Sequence, residues 1–235
     1  MTDLTMTDTQ VEAVDGAIRA RRSARQFLSD PIPSDTLKAI LGVAVHAPSG
    51  HNTQPWKVHV LTGSSLQRAR AAMLSAFDSP AGMQQHRPRF DSYPTEWTSP
   101  FLDRRRQLGK TMYTALEVPK GDRELMREHA RRNYEFFGAP AALLFTLHRL
   151  MVPGSVLDLG MLMQSVMLSA QARGIATCPQ AALANFHELL AETMPFDEDE
   201  ILICGMSMGY RDEKAPVNRF PVSRVPLESM AVFHE

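Results

Sequence analysis

The chain has 235 residues, of which 44% are hydrophobic, and a formal net charge of −1 at pH 7. This length allows one large core in one or two domains. The nearly neutral charge gives no global attraction to nucleic acid or anionic membranes, and two cysteines are too few for a disulfide framework.

The N-terminal residues 1–12 are polar and acidic, without the apolar segment of a signal peptide. The chain contains no run of 18 apolar residues, so we expect no membrane span. Cys178 and Cys204 fit a reducing environment, so we expect a cytoplasmic protein. The histidines form neither an H-x-x-x-H pair nor a cluster with cysteine, which argues against a metal site.

Apolar periodicity and turn residues predict the elements in chain order. We expect helices over residues 9–22, 34–46, 66–77, 124–137, 156–173 and 187–194. We expect strands over residues 58–61, 141–147 and 201–208. The uniformly apolar run 141–147 indicates a strand buried on both faces. The helix over 156–173 is apolar around nearly its whole circumference, which indicates burial in the core or between subunits.

Residues 78–125 differ in character from the rest, because five prolines interrupt them. Such a segment is either disordered or a functional lid. Its aromatic residues, which include Tyr93 and Trp97, favour an ordered lid. We interpret the neighbouring cluster Arg104, Arg105 and Arg106 as a solvated helix face.

Two polar motifs precede the first predicted strand. The first, RRSARQF at residues 21–27, offers three guanidinium groups and a hydroxyl, which suit a phosphate. The second, APSGHNTQPW at residues 47–56, is a loop between two ordered elements, where ligand contacts are often built. Its amide side chains suit the edge of a flat heterocycle.

The two motifs, in this order, resemble the N-terminal motifs of the flavin-dependent nitroreductase family. The C-terminal third adds TCPQA at residues 177–181, GY at 209–210 and PVSR at 221–224, which also resemble the family. The resemblance implies an α+β fold, a three-layer α/β/α sandwich forming an intertwined homodimer with an extended C-terminal arm. It implies a single nitroreductase domain over residues 1–235, with a lid-like insertion at about 78–125.

The resemblance also implies FMN as cofactor and NADPH or NADH as electron donor. The phosphate would be held by Arg21, Ser23 and Arg224, and Arg22 would contact the phosphate or ribityl chain. Arg25 would lie near N1 of the flavin ring, where a cation stabilises developing negative charge. Gln180 and Ala181 would present backbone N–H groups toward N5.

The resemblance also implies that the loop at residues 47–56 contributes to an active site shared between two subunits. Pro48, Ser49 and Gly50 would come from the partner subunit, and Asn52 would either contact the flavin or brace the loop. Val222 stands where some family members have a lysine, so either Arg224 would hold the phosphate with less help or an arginine elsewhere would compensate.

The implied activity is reduction of nitroaromatic compounds, with quinones as further acceptors, by a ping-pong mechanism in which hydride passes through FMN. Two alternatives stay open. One is another flavin reaction, reductive dehalogenation or flavin fragmentation, and the other is an FMN-binding redox sensor without turnover. No catalytic side chain is predicted, because the flavin carries the chemistry.

Overall fold

The computed structural model describes residues 5–234 and contains a four-stranded antiparallel sheet with the strand order β1-β2-β4-β3. The strands are β1 Trp56–Thr62, β2 Ala141–His148, β3 Ala176–Gln180 and β4 Glu200–Gly209. The α-helices are α1 Asp8–Ala20, α2 Ser34–Ala44, α3 Gly63–Asp78, α4 Phe101–Ala115, α5 Arg123–Arg131, α6 Val156–Gln171 and α7 His187–Thr193.

Helices cover both faces of the sheet and make three layers. On one face, Leu66 of α3 and Leu190 of α7 are buried with Leu144 of β2. On the other face, α2 and α6 are packed in one apolar cluster with alternate residues of β2, such as Leu143. Seven of the eight residues of β2 are buried, because side chains on both of its faces meet helices. The predictions of an α/β/α sandwich and of a central strand at 141–147 are confirmed.

Two local predictions are wrong. Residues 176–180, expected as loop, form the edge strand β3, where Pro179 is tolerated because an edge strand pairs with a strand on one side only. The helix expected over 124–137 ends at Arg131, and residues 132–138 turn with positive φ at Phe136 and Phe137. Within the segment 78–125, the helix α4 occupies fifteen residues and carries the arginine cluster.

Helix α6 is buried on one face only. Leu159, Leu162 and Val166 face the core, whereas Leu157 is 74% exposed. Burial around its whole circumference, one reading of the apolar pattern, is therefore wrong for the single chain.

Within residues 5–234, no helix has the length and apolar character needed to cross a bilayer. The prediction that residues 1–12 are not a signal peptide lies partly outside the described residues, which begin at Thr5.

Candidate active site

The basic motif at residues 21–27 docks on the end of the sheet formed by β3 and β4. Ala24 donates its backbone N–H to the Thr177 carbonyl at 3.0 Å, and Leu28 donates to the Tyr210 carbonyl at 2.8 Å. Gly209 permits this close approach, because a Cβ atom there would lie 3.0 Å from Cδ1 of Phe27 in the basic motif and 2.6 Å from Cδ of Pro140. The glycine of the GY motif therefore shapes the site by leaving room rather than by contacting a ligand.

Asn218 ties the basic motif to the C-terminal segment. Its Oδ1 accepts the Arg25 backbone N–H at 2.8 Å, and its Nδ2 donates to the Gln26 carbonyl at 2.8 Å and to the Asp212 carbonyl at 2.9 Å. These three bonds fix the backbone on which the arginines stand. Sequence reasoning missed Asn218, because no motif marks an asparagine that acts through backbone contacts.

A small cationic cavity of about 120 Å³ brings together the predicted phosphate ligands. It is lined by Arg21, Arg22, Ser23, Arg25 and Arg224, together with Leu108, Val217, Asn218, Phe220 and Val222. None of the ion pairs among residues 5–234 includes any of these four arginines.

The arginines of this cavity repel one another. Burial and the charges of Arg224 and Arg22 lower the pKa of Arg21. A cavity with several guanidinium groups and no neutralising carboxylate has the donor set that fits a phosphate dianion. The residues present therefore fit the phosphate of the implied FMN.

Arg25 reaches from the cationic cavity toward the core. Its Nη1 donates to the Ser23 carbonyl at 3.3 Å, and its guanidinium lies 6.0 Å from the ring centre of Phe220. Burial raises the pKa of the nearby Cys178 thiol to about 11, although Arg25 and Arg21 oppose that rise. Cys178 is therefore a neutral core thiol at neutral pH and not a nucleophile.

A second, larger cavity of about 540 Å³ is lined by Asn133, Gln180 and Ala181 on one side and by residues between Arg87 and Tyr93 on the other. Gln180 is buried, donates from Nε2 to the Asn133 carbonyl at 2.7 Å and accepts from the Ser207 hydroxyl. Its side chain is thus committed within the protein. Asn133, for which sequence reasoning gave no role, is a wall of this cavity.

The loop over residues 47–55 lies apart from both cavities. Pro48 borders α6 beside Val156 and Leu157, and neither cavity is lined by Pro48, Ser49, Gly50 or Asn52. Three residues of the loop that are not glycine, His51, Asn52 and Gln54, have φ values of 51°, 55° and 47°. Such left-handed backbone is strained and is commonly kept at functional sites.

The segment 78–125 contains neighbouring aromatic and cationic side chains. Tyr93 and Trp97 have ring centres 5.8 Å apart, and the guanidinium of Arg105 lies 5.0 Å from the Trp97 ring centre. The side chains of α4 are exposed or half-buried, which agrees with a solvated face for its arginines. In the described part of the chain, no group of three or more histidine, cysteine or acidic residues is arranged to hold a metal ion.

Sequence comparison finds a family model and known proteins that match this chain. Residues 18–210 match the model of the nitroreductase family. The chain is 34% identical to a nitrobenzene nitroreductase of Ectopseudomonas oleovorans over 94% of its own length and 97% of the relative. It is also 34% identical to a 4-nitrobenzoate reductase of Pseudomonas putida, over 93% and 94% of the two chains.

Solved structures give the same result for the fold. An FMN- and NADPH-dependent nitroreductase, NfnB from Sphigopyxis sp. strain HMH, superposes with a TM-score of 0.90 at 35% identity, covering 94% of this chain and 99% of that one. The FMN-dependent NfnB from Mycobacterium smegmatis, in complex with NADPH, also has a TM-score of 0.90, at 28% identity, covering 96% and 100%.

Proposed function

The chain belongs to the nitroreductase family, and from that premise we propose that it is an FMN-dependent NAD(P)H oxidoreductase that reduces nitroaromatic compounds. The observation that carries this proposal is the cavity lined by four arginines without an acidic partner, which matches a phosphate. The nitrobenzene and 4-nitrobenzoate reductases among its relatives support nitroaromatic acceptors. Quinones are a further acceptor class.

We assign the phosphate to Arg21, Ser23 and Arg224, which line one cavity. Arg22 is exposed at its rim and contacts the phosphate or the ribityl chain. When bound, FMN supplies the redox chemistry, accepting a hydride from NAD(P)H and delivering it to the acceptor. Arg25 would stabilise negative charge at the pyrimidine edge of the ring.

The larger cavity is our candidate for the acceptor site. The backbone of Gln180 and Ala181 forms one wall, and the lid forms the other. Its volume of about 540 Å³ is in the range of small-molecule sites. We propose that the chain is a single domain in which residues 78–125 act as this lid.

Steady-state assays test the activity. Protein reconstituted with FMN is expected to oxidise NADPH when nitrobenzene or 4-nitrobenzoate is present. An FMN-loaded protein that consumes neither NADPH nor NADH with nitroaromatic or quinone acceptors would contradict an enzymatic role and favour the sensor alternative.

Replacing Arg25 by alanine is expected to slow FMN reduction by NADPH about tenfold, because a cation near the developing charge is lost. Arg25→Lys keeps the charge and is expected to remain within about threefold of the wild type. Stopped-flow absorbance at the flavin band measures both rates. Unchanged FMN content and unchanged NADPH oxidation in Arg25→Ala would refute the role of Arg25.

We also propose a homodimer with a shared active site. Exposed apolar side chains lie on α6 and on α1 and α2, which each contact α6, and include Val14, Val43 and Leu157. An apolar surface of this kind favours burial between subunits. The C-terminal segment adds Met230, Val232 and Phe233, each at least 71% exposed, which suits an arm that packs on a partner.

Both cysteines are buried free thiols, which suits a cytoplasmic protein.

Replacing Leu157 by aspartate is expected to break this dimer, because it places a charge at the centre of the apolar surface. Light scattering coupled to gel filtration is expected to give twice the 26.2 kDa chain mass for the wild type and the single mass for the variant. Leu125→Asp, at a leucine 39% exposed on α5, is the control and is expected to stay dimeric. A dimeric Leu157→Asp protein would exclude this surface.

A further inference from the structure

Asp158 is an unusual residue within α6. It is the third residue of a helix that is otherwise apolar or small in its first half, and it is only 8% exposed. Among the ion pairs within residues 5–234, none includes Asp158. A buried carboxylate without a cation is costly and requires a compensating interaction.

The side chain of Asp158 makes its hydrogen bond outside the helix to which it belongs. The residue preceding α6, Ser155, makes no side-chain cap bond, and Asp158 hydrogen-bonds a residue 108 positions away in sequence. Its Oδ1 accepts the backbone N–H of Gly50 at 3.2 Å, and its Oδ2 lies 4.0 Å from the position of a Cβ atom built on Gly50. The helix dipole at the first turn of α6 stabilises the carboxylate charge.

This bond joins the strained loop to the rest of the fold. The other hydrogen bonds of residues 48–54 stay inside the loop: Asn52 N–H to the Ser49 carbonyl, Thr53 N–H to the Gly50 carbonyl, Gln54 N–H to the Ser49 hydroxyl, and Gln54 Nε2 to the Asn52 carbonyl. Among residues 48–54, the one hydrogen bond to a described residue outside the loop is that of Gly50 to Asp158, and at the end of the loop His148 of β2 donates its backbone N–H to the Pro55 carbonyl at 3.4 Å. Three left-handed residues keep their conformation only when surrounding contacts hold them.

We propose that Asp158 is a positioning residue for FMN binding, which acts by anchoring Gly50 so that Pro48, Ser49 and Gly50 keep the conformation that contacts the cofactor. The inference rests on the proposed function, in which this loop completes the FMN site of the partner subunit. Asp158 itself touches no cofactor.

The test uses three variants of the full-length protein. Asp158→Ala removes the acceptor, Asp158→Asn keeps an acceptor oxygen but removes the charge, and Ser169→Ala is the control. Ser169 is also buried in α6 and accepts a hydrogen bond from Arg173 at 2.8 Å, but it makes no bond with the loop.

Hydrogen exchange of the FMN-free protein measures the anchor directly. Amides of residues 48–54 are expected to exchange about tenfold faster in Asp158→Ala, because the acceptor of the Gly50 N–H is lost. Asp158→Asn and Ser169→Ala are expected to exchange like the wild type. Unchanged exchange in Asp158→Ala would overturn the anchoring role, whether or not the protein binds FMN.

Titration of the same proteins with FMN, followed by flavin fluorescence, measures the consequence. The Kd is expected to rise about tenfold in Asp158→Ala and to stay within about threefold in Asp158→Asn. The melting temperature of FMN-free Asp158→Ala is expected to stay close to that of Ser169→Ala.

Three results would contradict the inference. One is an unchanged Kd in Asp158→Ala beside a wild type that binds FMN. The second is an Asp158→Asn protein as weak as Asp158→Ala. The third is loss of folding in both Asp158→Ala and Asp158→Asn, since Asp158 would then be structural. A wild type that binds no FMN would instead refute the proposed function, and the exchange result would still decide the anchor.

Discussion

Replacing Arg21 by alanine is expected to weaken FMN binding at least about 100-fold, because two hydrogen bonds between a guanidinium and a phosphate are lost together. The stability of the FMN-free protein is not expected to fall with the affinity. Burial and the neighbouring charges of Arg224 and Arg22 lower the pKa of Arg21. Removing it relieves repulsion, so the melting temperature of the FMN-free protein is expected to stay the same or rise.

The control for this experiment is Arg19→Ala. Arg19 lies in the last turn of α1, two residues before Arg21, and its exposed side chain pairs with Asp15 at 2.6 Å. We expect its removal to leave the FMN Kd unchanged. Isothermal titration measures the affinities and calorimetry the melting temperatures. An Arg21→Ala protein that retains FMN like the wild type would show that this cavity does not hold the phosphate.

Replacing Glu200 by glutamine is expected to destabilise the fold by about 3 kcal/mol at pH 7. Glu200 lies in β4 with a side chain only 7% exposed, and it binds Lys57, His59 and Thr146, each at 2.6 Å. Burial alone raises the pKa of Glu200, but the hydrogen bonds from these three residues outweigh burial and lower it to about 2. Glutamine has no charge and one acceptor oxygen where glutamate has two, so Lys57, His59 and Thr146 cannot all keep their hydrogen bonds.

The same carboxylate gives the wild type an acid-sensitive stability. Because its folded pKa is lowered from 4.5 to about 2, its contribution is complete above pH 4.5 and is lost as the pH falls through about 2. Urea unfolding of the FMN-free protein at pH 7 and at pH 3 is expected to show a smaller pH effect in Glu200→Gln than in the wild type.

Glu188→Gln is the control for Glu200. Glu188 forms a pair with Arg89 at 2.7 Å, but its side chain is 63% exposed, so we expect a loss below about 1 kcal/mol. Equal destabilisation by the two substitutions would show that the ion pairs of the buried Glu200 stabilise the fold no more than the pair of the exposed Glu188.

The sequence predicted the layers of this fold because apolar periodicity reports burial directly. The run 141–147 is apolar at every position, as expected of a strand buried on both faces, and the helices at 34–46 and 66–77 each have one apolar face; each of these elements lies where it was expected. Strand β3 was missed because five residues with a proline in fourth place are too few to show a period. Its pairing with β4 is a long-range property of the fold.

The arginines and the serine of the candidate site were predicted from sequence motifs. The hydrogen bonds that join these motifs to other parts of the chain were not predicted. The arginines of the cationic cavity are adjacent in sequence or part of a recognisable pattern, so they were found. Asn218 and Asp158 act through backbone atoms far away in sequence, at separations of 193 and 108 residues from their partners. A single acidic residue among the apolar or small residues of the first half of α6 is the signal by which the sequence could have identified Asp158.

The most direct test of the account is the visible spectrum of the purified protein, followed without oxygen as NADPH and then nitrobenzene are added. We predict a yellow, FMN-containing protein whose flavin band bleaches with NADPH and returns when nitrobenzene is added. A colourless protein that cannot be reconstituted with FMN would contradict the cofactor assignment. A yellow protein that neither NADPH nor NADH bleaches would contradict the oxidoreductase activity.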